Sequence, residues 1–180
     1  MNKLHKGFAE LSFRYLILIA VAIPSLWIFY AVFTPLTFYP TYLILNLFFD
    51  VMIVKNANIF IINNEIPVEI IRACVAGSAY YLLFALNLAT PGIKIEKRVK
   101  MILAAFSALL AMNVLRIIFL IAIFFEGTVF FIVAHQIFWY FISTIFVVLI
   151  WFSEVKFFKI KEIPFYSDFK LLHKHSLFKR

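Results

Sequence analysis

Charge is scarce in this chain. Of its 180 residues only 14% are Asp, Glu, Lys or Arg, while 65% are hydrophobic and 19% aromatic. A water-soluble domain carries roughly a quarter charged residues and about half apolar ones. This composition cannot cover a solvent-facing surface, and it reads as an integral membrane protein with a single domain by length. Cysteine is scarcer still, for Cys74 stands alone. One cysteine excludes an internal disulfide and leaves a thiol-redox reading without its second thiol. No Cys/His spacing of a zinc site occurs, so no metal and no cofactor is implied. Internal repeats and low-complexity segments are also lacking. The first long apolar run, 15–33, exceeds the core of a signal peptide, and no small-residue cleavage site follows it.

The charges that are present carry topology. A net charge of +8 suggests nucleic acid only until the positions are mapped. Lys3, Lys6 and Arg14 precede the first apolar run; Lys94, Lys97, Arg98 and Lys100 crowd into the loop 91–100; seven more basic residues lie in 153–180, with His173 and His175. Together these hold fourteen of the 17 Lys and Arg. Lys55 and Arg72 fall between apolar runs, and Arg116 falls inside one. Basic residues gather on the cytoplasmic side of membrane proteins. The pattern predicts an all-α integral membrane protein with four transmembrane helices, near 15–33, 68–90, 101–125 and 128–152. Both termini are cytoplasmic, and 153–180 forms a basic cytoplasmic tail that anchors at the inner leaflet. Pro24 should kink the first helix. Pro35 and Pro40 should end it. The run 41–54, interrupted by Asn46 and Asp50, is too short to span about 30 Å of hydrocarbon and reads as an interfacial or re-entrant segment. The asparagine-rich stretch 55–64 reads as a short extended segment. Pro67 suits the first turn of the second helix.

Three polar side chains then fall at one depth. At about 1.5 Å per helical residue, Cys74 lies roughly 10 Å from the outer end of the second helix, Arg116 roughly 14 Å from that of the third, and His135 roughly 10 Å from that of the fourth. An arginine inside a membrane helix costs about 2.5–3.5 kcal/mol and marks a functional site by default. Asn113 shares its face, three residues earlier. The structural reading of Arg116 is an ion pair with Glu69 or Glu126. Cys74 by itself reads as a small apolar packing residue. With Gly77 and Ser78 one turn on, however, that face of the helix is small and slightly polar, open to close approach by another chain. A neighbouring arginine favours the thiolate, the nucleophilic form. His135 is then the natural proton acceptor. Glu69 and Arg72 sit near the outer interface, where they can pair with each other or grip a carboxylate or headgroup.

Cysteine at the start of a helix after an extracytoplasmic segment, Asn113-Val114-Leu115-Arg116 in the next helix and His135 early in the one after resemble the exosortase/archaeosortase family. The likeness covers residues 66–152 in order and spacing. One position departs from it, since Gly77 lies three residues after Cys74 where the family has glycine two after. The resemblance implies a membrane-embedded cysteine transpeptidase of the plasma membrane, with its site near the extracytoplasmic face. Its partners would be secreted proteins ending in a short motif, one transmembrane helix and a basic tail, together with a lipid or other surface acceptor. Cys74 would form an acyl-thioester, His135 would move protons, and Arg116 would stabilise negative charge. The alternative class is a non-catalytic membrane subunit or small transporter component that uses Arg116 and His135 as a polar binding site.

Overall fold

A computed structural model of the chain describes residues 3–23, 25–54 and 57–160, with backbone only at 3–10, 128, 139 and 140. Pro24, Lys55, Asn56 and the tail from 161 onward, including His173 and His175, lie outside the described residues.

The molecule is mostly helical. Helices α1 (Lys3–Ala22) and α2 (Trp27–Leu45) lead into strands β1 (Val51–Val54), β2 (Ile59–Ile62) and β3 (Ile66–Glu69). Then follow α3 (Arg72–Val75), α4 (Gly77–Ala89), α5 (Ile95–Glu126), α6 (Thr128–Ile137), a π turn (Phe138–Ile142) and α7 (Ser143–Phe157). Among the described residues, three stretches are long and apolar enough to cross a membrane: α2, α3 with α4, and α5. The outward faces of the long helices carry exposed Leu103, Leu115, Phe119, Leu149 and Phe152, as lipid contact requires.

Helix α5 is the central column, and α2, α4, α6 and α7 all pack on it. Its buried stripe recurs every fourth residue: Met101, Ala105, Leu109, Asn113, Ile117 and Ile121. That spacing keeps one face toward the neighbouring helices. Asn113 occupies a core position in this stripe, with Arg116 beside it.

Several boundaries differ from those the sequence suggests. The helix expected over 15–33 is two helices, interrupted after Ala22, where Ser25 and Leu26 take left-handed φ of 51° and 59°. Pro35 and Pro40 do not end a helix; both lie inside α2. A proline in a helix interior costs about 3 kcal/mol. Here the aromatic residues of α2 are fixed along its length by partners on other elements. Phe33 stacks on Tyr80 at 3.6 Å between ring centroids, and Phe38 stacks on Phe60 at 4.3 Å. The run 41–54 is divided between the end of α2 and strand β1.

To the helices the structure adds an antiparallel sheet in the order β1-β2-β3. The extended segment expected within 55–64 is β2. Asn58, Asn63 and Asn64 all have left-handed φ, so the asparagines supply the turns. Pro67 and Val68 do not begin a helix but belong to β3, paired with Ile61 and Phe60. As an edge strand, β3 tolerates a residue with no N–H to donate. Helix α5 starts at Ile95 and so absorbs most of the basic loop, and α7 continues to Phe157, five residues past the expected end.

At the basic end of the bundle two arginines close the C-terminus of α4. Arg98 donates to the carbonyls of Asn87, Leu88 and Thr90, and Arg14 donates to that of Ala89 at 3.0 Å. The last carbonyls of a helix have no partner within it, and cations also suit the negative end of its dipole.

Candidate functional site

The site begins with a break in the backbone. Ala76 adopts φ 59° and ψ 41°, a left-handed conformation that a residue with a Cβ takes only at a cost. The break separates α3 from α4. In an unbroken helix the carbonyls of Ala73, Cys74 and Val75 would accept from the amides four residues on. Here α3 ends and those three carbonyls are left for other donors.

Arg116 and Asn113 take all three. Arg116 Nη2 donates to the Ala73 carbonyl at 3.2 Å and to the Cys74 carbonyl at 3.1 Å. Asn113 Nδ2 donates to the Cys74 carbonyl at 2.7 Å and to that of Val75 at 3.4 Å. These residues are three apart on α5, so they share a face and reach the same short segment. Arg116 Nη1 donates to Ser143 Oγ at 2.8 Å, and that hydroxyl donates to the Phe138 carbonyl at 2.7 Å. The expected carboxylate partners, Glu69 and Glu126, are not where the guanidinium bonds go. Every described partner of Arg116 is neutral, and its Nε is buried without a hydrogen bond.

Beside this junction lies a cavity of about 310 Å³. Arg72 and Arg116 border it, with Tyr30, Ser78 and Ser143 and the backbone turn at Ala76. Two guanidinium groups and three hydroxyl-bearing side chains around one small cavity suit an anionic or strongly polar guest. Ser78 stands in the first turn of α4. Arg72 lies over the Tyr30 ring, 5.4 Å from its centroid, instead of pairing with Glu69. Glu69 is the last residue of β3 and is exposed.

Gly77 departs from the expected open face. A Cβ there would lie 2.7 Å from Tyr30 Cζ, so the small face of this helix is already filled by the Tyr30 ring. Ser78, the next residue, is exposed and open to the cavity. Cys74 is half-buried, and its side chain packs against the hydrophobic core. Its neighbours Ala73 and Arg116, rather than its own side chain, line the cavity.

Of the residues singled out in the sequence, the structure joins Cys74, Asn113 and Arg116 directly, and sets Arg72 and Ser78 around the same cavity. His135 is half-buried in α6, its ring stacked on Phe131 at 5.7 Å. The α6–α7 residue that meets Arg116 is Ser143, eight positions later. The π turn lies between them, and such insertions occur frequently at functional sites. Ser143 and Tyr30 carry no sequence signal that marks them, since each is one of many similar residues in apolar helices. Tyr80 is another residue the sequence leaves unmarked; its hydroxyl is fully buried and has no partner.

No protein-family model matches this chain, and no curated protein or solved structure matches it.

Proposed function

We propose that this protein is a membrane-embedded cysteine transpeptidase of the kind its sequence resembles. In this reading four spans, formed by α1 with α2, α3 with α4, α5, and α6 with α7, leave both termini in the cytoplasm. The site then lies toward the outer face of the plasma membrane. The observation that carries the proposal is the junction at Cys74. The one cysteine lies in a short helical turn whose freed carbonyls are held by Asn113 and Arg116, beside a polar cavity at membrane depth. A continuous helix needs no such donors, and an arginine within a membrane helix is costly.

The chemistry assigned to it is nucleophilic. The thiol proton of Cys74 passes to His135, and the sulfur attacks the scissile carbonyl carbon of a secreted protein. Negative charge develops on the carbonyl oxygen, and Arg116, in a poorly solvated cavity, stabilises it. The C–N bond breaks, His135 returns the proton to the leaving amine, and an acyl-thioester remains. An amine or hydroxyl of a surface acceptor, such as a lipid, then attacks the thioester. Its proton goes through His135 to the departing sulfur, which restores the thiol. For this route the Cys74 side chain must turn from the core toward the cavity, and His135 must leave its Phe131 contact to approach it.

A second reading is favoured by one observation, the packing of the Cys74 side chain against the core. There the chain is a non-catalytic subunit in which Arg72 and Arg116 bind an anionic group. Replacement of Cys74 decides between the two. In the native cell, Cys74→Ala and Cys74→Ser should accumulate as the parent does. Secreted proteins ending in an apolar helix and a basic tail should then remain unprocessed, as read by gel mobility and mass. Unchanged processing of all such proteins in the Cys74→Ala strain overturns the transpeptidase reading and leaves the binding subunit.

A further inference from the structure

A second feature lies at the other end of the bundle. Between α5 and α7 runs an open groove of about 740 Å³. Its α5 wall carries Ala104 and Ala108, both exposed, and its α7 wall carries Leu149 and Ile150. Glu154 lines the groove near its end, with Lys156 exposed close by. Glu154 is only 4% exposed. One carboxylate oxygen accepts from Asn87 Nδ2 at 3.0 Å, while the other, Oε1, is buried with no partner. Leaving a buried acceptor unpaired costs about 1–3 kcal/mol, and more for a charged one. Ionisable groups within membrane helices therefore mark binding or transport sites.

We infer that this groove docks a single apolar transmembrane helix that carries a lysine or arginine near its cytoplasmic end, with Glu154 Oε1 as the acceptor for that cation. Small residues along α5 permit the close backbone approach that helix association in lipid depends on. A lipid acyl chain could fill the apolar part but offers nothing to Glu154. The depth fits as well. Asn87, the partner of Glu154, lies at the end of α4 that Arg98 and Arg14 close, beside the basic loop, which is the cytoplasmic end in the proposed topology. Single-span proteins carry their flanking Lys and Arg on that side. The inference rests on this topology but not on catalysis. It moves the expected helix contact away from the small face of α4, which Tyr30 occupies, to the α5–α7 groove.

The test uses the full-length protein in phospholipid vesicles and three synthetic peptides. Each is an apolar helix of about 20 residues, the length that spans a bilayer, with one photoreactive leucine. One ends in lysine, one has leucine at that position, and one has glutamate. Labelled residues on the protein are mapped by mass spectrometry. The lysine peptide should label α5 and α7 along the groove roughly tenfold more than the leucine peptide, as for a charge pair withdrawn from water, and the glutamate peptide should label least. Glu154→Gln, which retains an acceptor for Asn87, should bring the lysine and leucine peptides within about twofold of each other. Ala108→Trp should block all three. Equal labelling by the lysine and leucine peptides, labelling elsewhere on the protein, or a photoreactive phospholipid that holds the groove against the lysine peptide would each overturn the inference. So would a cross-link showing a second copy of this chain seated there. Cys74→Ala should label as the parent does, so a failed transpeptidase reading and a failed docking site give different results.

Discussion

The amide nitrogen of Asn113 lies 2.7 Å from the main-chain carbonyl oxygen of Cys74, a bond between the buried stripe of α5 and the carbonyls freed by the break at Ala76. Cys74 is therefore held by its backbone, from a neighbouring helix, while its side chain packs separately. Replacing Asn113 with Leu keeps the volume and removes both donated bonds. The expected loss is about 1–3 kcal/mol, the usual penalty for stranding a buried acceptor. It would be read as a lower thermal midpoint of the purified protein in detergent. An unchanged midpoint would mean that Arg116 alone satisfies the Cys74 carbonyl.

Arg116 reaches two carbonyls through Nη2 and Ser143 through Nη1, a span that only a planar guanidinium covers. Arg116→Lys preserves the charge and loses the fork. If the proposed transpeptidase function holds, the protein should accumulate while processing of secreted proteins ending in an apolar helix and a basic tail falls by at least about tenfold, corresponding to about 1.4 kcal/mol of transition-state stabilisation. Ser143→Ala should have a smaller effect in the same assay. If Arg116→Lys processes as well as the parent, charge alone matters and the bidentate geometry does not.

Tyr30 closes against Gly77, leaving no space for a methyl group. Gly77→Ala should destabilise the protein by about 1–3 kcal/mol, the range for overpacking. In a Tyr30→Leu background the same change should cost much less. A double-mutant cycle on thermal midpoints measures this coupling. Additive effects would show that Tyr30 moves aside freely.

Tyr80 buries a hydroxyl that bonds to nothing while its ring stacks on Phe33. Tyr80→Phe removes the unpaired group and retains the ring, so stability should stay level or rise. A fall of more than about 1 kcal/mol would reveal a hydrogen bond made in another conformation of the site.

The sequence made several parts of this arrangement legible. Asn113 and Arg116 stand three residues apart in a helix, so a shared face follows from helical geometry. The rarity of charge at membrane depth singled out Arg116. Depth counting set it level with Cys74, and the structure shows that it bonds the Ala73 and Cys74 carbonyls. Depth counts residues from a helix end and says nothing of rotation, so it could not tell which α6–α7 residue would face Arg116. The π turn adds a residue between His135 and Ser143, and it is Ser143 that faces the guanidinium. The stretch 55–64 was readable as extended, but not that Asn58, Asn63 and Asn64 would make its turns. Pro67 reads as a first helical turn and lies in a strand, because proline suits both a first helical turn and an edge strand.

Composition and charge distribution alone determined that this is an apolar helical chain suited to a membrane, with its basic residues clustered beside the apolar runs. Those properties depend on transfer free energies that each residue carries with it. Tertiary contacts decided the rest. Stacking against Tyr80 and Phe60 offsets two prolines and keeps α2 helical through Pro35 and Pro40. Pairing with β2 draws Pro67 into a strand. Donors from α5 compensate the left-handed turn at Ala76, which local propensity opposes. Each outcome runs against a local preference of at most a few kcal/mol, and each is set by partners distant in sequence, which no window along the chain contains.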